Sequence, residues 1–395
     1  MKIFVVPSWY PSELSPESGT FFRDRAQMLK KYGNEITVIV DLVHSFKDLF
    51  RFGKFRTVRF APEKVGGVIE YRQETPNWFP KLPRITNHFY KRRLIRLFEK
   101  AVADRGRPDV VIAHSSLFAG AALGQWLMDR NIPLIVVEHL KEFLTPGAFI
   151  FFQKNCIRAA YRHADRIVAT STRLCESIMH QFPEFTAKTV IVPNPVDITA
   201  FTIAPDQKPI VKSFVFLAVA LFRPEKRLDL LLRAFASVLK SYPDTRLILV
   251  GDGPERQRIE RLISDLNLQS TVILVGYRSK PETAAAMQSA HALVLSSEVE
   301  TFGVVLIEAI ATGLPVIATQ CGGPEDIVTP ETGFLVPVND IAALASAMHR
   351  MIVEYGQFDP QCIRQIAIEK FGDHGYWQAI RNLYLQIINE KPTTK

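Results

Sequence analysis

Apolar residues recur along this chain in short, nearly continuous runs, and many of these runs are followed by a turn and then by a stretch with helical spacing. Short continuous runs mark strands buried on both faces, and their alternation with helices predicts β/α units around parallel sheets. The first unit reads as a strand at 2–7, a polar loop through Ser8-Trp9-Tyr10-Pro11 and Ser18-Gly19-Thr20, a helix at 21–31 and a second strand at 33–40. Further strands are expected at 108–114, 133–139, 164–171 and 189–193, with helices at 117–129 and 172–182. Residues 198–212 carry polar and proline breakers without periodicity, and the domain boundary is placed there. The alternation then resumes, with strands at 213–220, 247–250, 271–276, 291–296 and 314–318. Helices are expected at 281–290, 301–312, 340–355 and 376–388. The two halves share this alternation and no closer internal repeat.

Composition narrows the class. A chain of 395 residues is long enough for two domains with separate cores, and 47% apolar with 22% charged residues is ordinary for globular protein. No apolar run approaches the ~20 residues of a membrane span, and the N-terminus is too short for a signal h-region. Cys156, Cys175, Cys321 and Cys362 are far apart without a C-x-x-C pair. That argues against a disulfide framework or zinc site and fits a reducing cytoplasm. The net charge of +8 is uneven: residues 1–200 hold 29 Lys/Arg against 19 Asp/Glu, and residues 201–395 hold 19 against 21. Segment 46–100 alone has 14 basic to 5 acidic residues, with aromatics interleaved at 46–60 and 89–98. Such a segment can be a solvated face, a nucleic-acid surface or a seat for anionic membrane. No nucleic-acid motif accompanies it, so the membrane reading is preferred.

The stretch richest in chemistry follows the strand at 291–296. Thr301-Phe302-Gly303 opens an apolar helix that ends at Gly313. A glycine at a helix start lets backbone N–H groups approach an anion, and the helix dipole favours negative charge there. Glu300 precedes the helix and Glu308 lies within it. At roughly 100° per residue they would not share one face if both were helical. With Glu300 in the loop, they can touch two parts of one extended ligand. Each also has a plainer reading, Glu300 as a cap and Glu308 as a solvated helix residue. Lys226 lies at a strand-to-helix turn suited to phosphate. Gly19, His114 and His139 fall at strand carboxyl ends, where ligands bind in open α/β sheets.

The succession Glu300-Thr301-Phe302-Gly303, Glu308-Ala309, Thr312-Gly313-Leu314-Pro315-Val316-Ile317-Ala318-Thr319, Gly322-Gly323 and Glu331-Thr332-Gly333-Phe334-Leu335-Val336-Pro337 resembles the E-x7-E segment of the GT-B glycosyltransferases of family 4. Asn194-Pro195-Val196-Asp197 is similar to the family's passage from the first domain to the linker. Ser8-Trp9-Tyr10-Pro11, with Pro16 and Ser18-Gly19-Thr20-Phe21, resembles openings of transferases that build bacterial wall polymers and exopolysaccharides. The resemblance implies an α/β protein of GT-B fold, two Rossmann-like domains facing each other across a cleft. Residues 1–200 would form the acceptor-binding domain, joined by the final helix, 374–395. Residues 201–373 would form the nucleotide-sugar donor domain. Among the site residues it implies, Thr301, Phe302 and Gly303 with Lys226 would hold the pyrophosphate. Glu308 would take the ribose hydroxyls and Glu300 the sugar. Tyr277 would border the base, and Gly19 would approach acceptor and donor phosphates. His139 would lie near the donor sugar, facing the helix that begins near Phe302, with His114 at an equivalent edge. Family members usually carry Arg where Leu221 stands and Gly where Arg227 stands, so Arg223 is the candidate substitute for that Arg.

The function implied is a retaining glycosyltransferase using a UDP- or GDP-linked sugar. Its acceptor would be a lipid-linked saccharide, in the synthesis of exopolysaccharide, lipopolysaccharide or wall polymer. The protein would be peripheral on the inner face of the cytoplasmic membrane, held by the basic segment 46–100, with no nucleic-acid partner. A diphosphate is already a stable leaving group, so charge stabilisation weighs more than general-acid protonation. No Asp-x-Asp motif stands where a donor phosphate would need it, so no metal and no cofactor beyond the donor are expected. A GT-B nucleotide-sugar epimerase and a non-catalytic saccharide- or membrane-binding scaffold are the alternatives.

Overall fold

The computed structural model describes residues 1–15, 18–45, 59–204 and 213–390. It divides into two compact units. One comprises Met1–Thr170, Cys175–Val192 and Trp377–Lys395; the other comprises Ser171–Leu174 and Pro193–Tyr376. Each is a mixed α/β unit built on a largely parallel sheet.

In the first unit the strands are β1 (Lys2–Pro7), β2 (Glu35–His44), β3 (Arg59–Val65), β4 (Val68–Pro76), β5 (Val110–His114), β6 (Leu134–Val137), β7 (Arg166–Ala169) and β8 (Thr189–Ile191). Their order is β3-β4-β2-β1-β5-β6-β7-β8, and only β3 runs antiparallel to its neighbour. Every residue of β5 and β6 is buried, which is why these strands read as unbroken apolar runs. In the second unit they are β9 (Val215–Val219), β10 (Arg246–Val250), β11 (Val272–Gly276), β12 (Ala292–Leu295), β13 (Val316–Thr319) and β14 (Gly333–Val336). All pair in parallel, in the order β11-β10-β9-β12-β13-β14. That is the doubly wound order. The chain reverses direction across the sheet between β9 and β12, so the loops leaving those two strands diverge and open a crevice at their carboxyl ends. The first unit has the same kind of reversal between β1 and β5.

Among the differences from the sequence expectation, two bear on the first unit. The helix expected at 117–129 is divided into a π-turn at Ser116–Gly120 and a helix at Ala121–Met128. The break follows Ser115, whose backbone sits at φ 79, outside helical geometry. The basic-aromatic run at 89–98 lies inside one long helix, Pro83–Arg105, whose buried residues are Tyr90, Leu94, Leu97, Phe98 and Ala101. Three-and-four spacing thus turns two of its three aromatic residues, Tyr90 and Phe98, into core and leaves Phe89 outside. Of the companion run at 46–60, residues 46–58 lie outside the described residues, as does Pro16 in the opening motif. The last helix, Asp373–Glu390, enters the first unit at Trp377, which stacks on Tyr32 with ring centroids 6.0 Å apart. No described helix is long and apolar enough to cross a membrane.

Candidate functional site

The second unit gathers its chemistry at the crevice between β9 and β12. Lys226 ends a short 3-10 turn, Pro224–Lys226, in the loop after β9. Glu300 lies in the loop after β12. They are 74 residues apart in the chain, yet Lys226 Nζ donates to Glu300 Oε1 at 2.5 Å. Ser297 Oγ donates to the same oxygen at 2.8 Å, and Ser296 Oγ donates to the Lys226 carbonyl at 2.9 Å. Both side chains of the ion pair keep partial access to solvent, 24% for Lys226 and 15% for Glu300.

Glu300 is held by its backbone as well. Its N–H donates to the Cys321 carbonyl at 3.0 Å, and its carbonyl accepts the Gly323 N–H at 2.9 Å. This bridge to the loop after β13 explains Gly322-Gly323 in the sequence. Gly322 takes φ 128, and a Cβ on Gly323 would overlap the backbone of Phe302. The helix that follows is Val304–Ala311, shorter than the 301–312 expected, with Gly303 as its N-cap at φ 96 and no acidic residue in its first turn. A β-carbon in that left-handed conformation is unfavourable, so the glycine sets the helix entry. The first N–H groups of any helix lack partners within it and aim at whatever occupies its N-terminus. Phe302 itself is buried, edge-on to Phe371 at 5.8 Å, with its backbone packed against Gly323. Thr301 is partly exposed, and Glu308, one turn into the helix, is partly exposed too.

Arg223 is exposed and lines a small recess with Asp229, Glu255 and Arg258, whereas Lys226 turns to Glu300. The Arg223 and Lys226 side chains are therefore not brought together. Arg227 stands in left-handed geometry, φ 48, the reason a glycine suits that place. Its guanidinium faces Asp229 at 3.3 Å and Glu298 at 3.8 Å. Tyr277 follows β11, is half exposed, and sits just after Gly276 at φ 73.

In the first unit, Gly19 caps the helix Thr20–Lys31 at φ 69, and a Cβ there would lie 2.7 Å from the Trp9 carbonyl. His114 and His139, at the ends of β5 and just past β6, meet directly: Nδ1 of His114 lies 3.0 Å from Nε2 of His139. One ring must donate and the other accept, so the pair holds together with both rings neutral. Burial, the nearby Arg25 guanidinium and the neighbouring ring push His114 well below the usual histidine range; burial and then Arg25 do the same to His139. Trp9, Phe21 and Phe22 pack around His139. Ser8 Oγ donates to the His114 carbonyl and accepts the Ala119 N–H, tying the loops after β1 and β5 at that sheet's reversal point.

Sequence reasoning passed over Glu138, the residue before His139. It is fully buried and accepts from the Ser116 N–H and from Tyr161 Oη, each at 3.0 Å. Burial raises its carboxyl to about 7 against those hydrogen bonds. It also passed over Ser296 and Ser297, whose hydroxyls seat the ion pair. Their signal was position, directly after a buried strand. Among the described residues no group of three or more His, Cys, Asp or Glu is arranged to hold a metal ion.

The comparisons with known proteins follow the same division. The profile described as Glycosyltransferase Family 4 matches residues 18–200, and that of Glycosyl transferases group 1 matches residues 201–364. A GDP-mannose-dependent alpha-mannosyltransferase of Mycobacterium tuberculosis is 31% identical over 296 residues, 70% of this chain and 72% of that protein. An N-acetyl-alpha-D-glucosaminyl L-malate synthase of Bacillus anthracis is 28% identical over 254 residues, 62% of this chain and 65% of that protein. The chain thus spans just under two-thirds of the Bacillus protein's length. The structure of HepE from Anabaena in complex with UDP and glucose superposes with a TM-score of 0.73 at 20% identity, covering 98% of this chain and all of that one.

Proposed function

The chain belongs to the group 1, family 4 glycosyltransferases of GT-B fold, and from that membership we propose that it transfers a sugar from a nucleotide-diphosphate sugar to a saccharide acceptor. The observation that carries this reading is the Lys226–Glu300 pair at the β9/β12 crevice, set beside the N-terminus of Val304–Ala311. A donor of this kind has three parts with different needs. Its pyrophosphate needs backbone donors and a cation, which Gly303, the first turn of the helix and Lys226 supply. Its ribose needs an acceptor for two hydroxyls, a role for Glu308. Its sugar needs a hydrogen-bonding carboxylate, a role for Glu300. As the anomeric bond breaks, positive charge grows on the sugar and negative charge on the diphosphate. A fixed carboxylate and a fixed ammonium stabilise those charges without a strong general acid. Retention of configuration follows when the acceptor enters on the diphosphate face and a leaving oxygen takes its proton.

The GDP-mannose-dependent relative and the UDP-bound HepE structure support a GDP- or UDP-linked donor, and a thermal-shift panel of UDP, GDP and ADP with their sugars selects among them. A ligand at 100 times its dissociation constant adds about 2.7 kcal/mol. The finer reading is a metal-independent, retaining enzyme that uses a lipid-linked saccharide in surface-polysaccharide synthesis, on the cytoplasmic face of the membrane. Unchanged turnover in EDTA supports the first part, and an α-configured product from an α-configured donor the second. The assignment as a whole is tested with Glu300→Gln and Lys226→Ala. Both are expected to fold and to lose transfer. Full activity of both refutes it, and donor turnover that never reaches an acceptor points to an epimerase.

A further inference from the structure

The helix Pro83–Arg105 already satisfies one face by packing Tyr90, Leu94, Leu97, Phe98 and Ala101 into the first unit. Its opposite face should then be polar throughout, yet its first turns carry exposed apolar side chains. Ile85, Phe89, Arg92 and Arg96 fall within about 60° of arc on that outer side, and all are exposed. The apolar members come first and the arginines one to two turns later. Just before them, Leu82 is 50% exposed, Phe79 stacks on Phe89 with centroids 5.8 Å apart, and Trp78 is 62% exposed.

A second helix start lies alongside. The Arg84 guanidinium sits over the Phe152 ring at 5.9 Å, and the Asn87 amide reaches Cys156 Sγ at 3.9 Å. That places the start of the helix Phe151–His163 beside the first, where Ile150 is 57% and Phe151 74% exposed. A monomer rarely leaves such apolar residues grouped at its surface without an occupant for them. The charge around them identifies that occupant. Residues 75–98 hold six Lys/Arg and 143–164 three, with no Asp or Glu in either stretch; Glu99, the next residue on the first helix, is engaged by the Trp126 indole N–H at 2.9 Å. Arg93 and Arg158 are spent on Asp41 and Glu184.

We propose that the paired helix starts around Trp78–Phe89 and Ile150–Phe151 insert into the surface of a bilayer carrying anionic lipid. Aromatic and aliphatic side chains at the tip, with arginines set one or two turns back on the same face, match the acyl/headgroup boundary. This differs from a merely basic segment resting on the membrane. The apolar contacts are specific, they include Ile150 and Phe151 outside the basic segment, and Tyr90 and Phe98 take no part. The surface stands apart from the transfer reaction, since it includes none of the residues assigned to donor binding.

The test is flotation of the full chain with vesicles of phosphatidylcholine alone and of phosphatidylcholine mixed with phosphatidylglycerol. The chain is expected to float with the mixed vesicles and to bind the neutral ones at least about tenfold less. Phe79→Ser with Phe89→Ser lowers partitioning by about tenfold at every lipid composition. Arg92→Ala with Arg96→Ala lowers it about 25-fold on anionic vesicles only, at roughly fivefold per charge. Thermal melting stays unchanged in the arginine variant, whose positions are exposed, and falls only slightly in the serine variant, which gives up the Phe79–Phe89 stack. Trp fluorescence shifts to the blue on adding anionic vesicles, and Trp78→Phe removes the shift. The proposal is overturned if the wild type does not float or if the double serine variant partitions like it. It is also overturned if sedimentation shows a concentration-dependent dimer that the serine variant abolishes, which would make a second copy the occupant. Turnover of a water-soluble acceptor remains at the wild-type level in every variant. Loss of that turnover with vesicle binding intact would count against the transfer reading and leave this surface standing.

Discussion

Glu300→Gln separates a catalytic reading of the ion pair from a structural one, because the two give opposite signs. Without ligand, Lys226 Nζ is held by Glu300 Oε1. A diphosphate that recruits Lys226 must share it with that carboxylate. Phosphate and carboxylate oxygens on either side of one ammonium lie about 5 Å apart, a repulsion of about 3 kcal/mol at an effective dielectric constant near 20. Side-chain exposures of 24% and 15% and ordinary salt reduce this to about 1 kcal/mol. Replacing Glu300 by Gln removes the repulsion and leaves an oxygen to receive the Ser297 hydroxyl. The backbone of residue 300 stays anchored through Cys321 and Gly323. Nucleoside diphosphate should therefore bind about fivefold tighter to the variant. Transfer should fall about 10²- to 10³-fold, the usual cost of removing one preorganised group that stabilises developing charge.

Titration calorimetry with UDP and GDP measures the first effect, and initial rates of transfer at saturating donor measure the second. Lys226→Ala is the control, weakening diphosphate binding and transfer together. Should Glu300→Gln weaken diphosphate binding as much as Lys226→Ala does, the pair is a structural clasp and the assignment of Glu300 to the sugar is wrong.

Gly323→Ala should abolish the site, because its Cβ would overlap the Phe302 backbone; a loss of about 1–3 kcal/mol in urea unfolding, with loss of nucleotide-induced thermal shift, checks this. Arg227→Gly should stay within about 0.5 kcal/mol of wild type, since relief of the left-handed strain offsets two partly exposed ion pairs and the contact with Asn339, while Arg227→Ala should lose about 1 kcal/mol; urea midpoints decide. Arg364 donates to the carbonyls of Ile198, Phe201 and Ala311, and Arg364→Ala should cost about 2–4 kcal/mol in the same assay. Glu138, raised to about 7, binds its proton more tightly folded than unfolded, so its contribution is present at pH 4.5 and lost as pH rises through 7. Wild type should lose about 2–3 kcal/mol more than Glu138→Gln between pH 4.5 and 8, with both measured by urea unfolding.

How far the sequence reaches depends on whether a feature is local. The helix entry at Gly303 was legible, because a glycine between a buried strand and an apolar run has one economical reading, and the backbone does turn to φ 96 there. The Gly-Gly turn between β3 and β4 was equally local, at φ 56 and 81, yet counting charge over 46–100 hid the hairpin it closes. The same counting hid the helix at Pro83–Arg105, since an aromatic tally carries no phase and only the three-four period separates Tyr90 from Phe89.

The contact between Lys226 and Glu300 was of another kind. The sequence points to each separately, Lys226 to phosphate and Glu300 to sugar. Alternation of strands and helices does not specify strand order, and only the order β10-β9-β12-β13 sets the loop after β9 against the loop after β12. Once that order is known, the two loops must converge, and a cation and an anion facing one crevice must either pair or be separated by a ligand. Burial is non-local in the same sense. Glu138 follows four apolar residues of a strand, and no pattern in the chain distinguishes a carboxylate capping that strand in water from one sealed under Tyr161. The positions whose role the chain's own periodicity could not supply are therefore those fixed by partners more than 20 residues away, and these are the positions where the charges are.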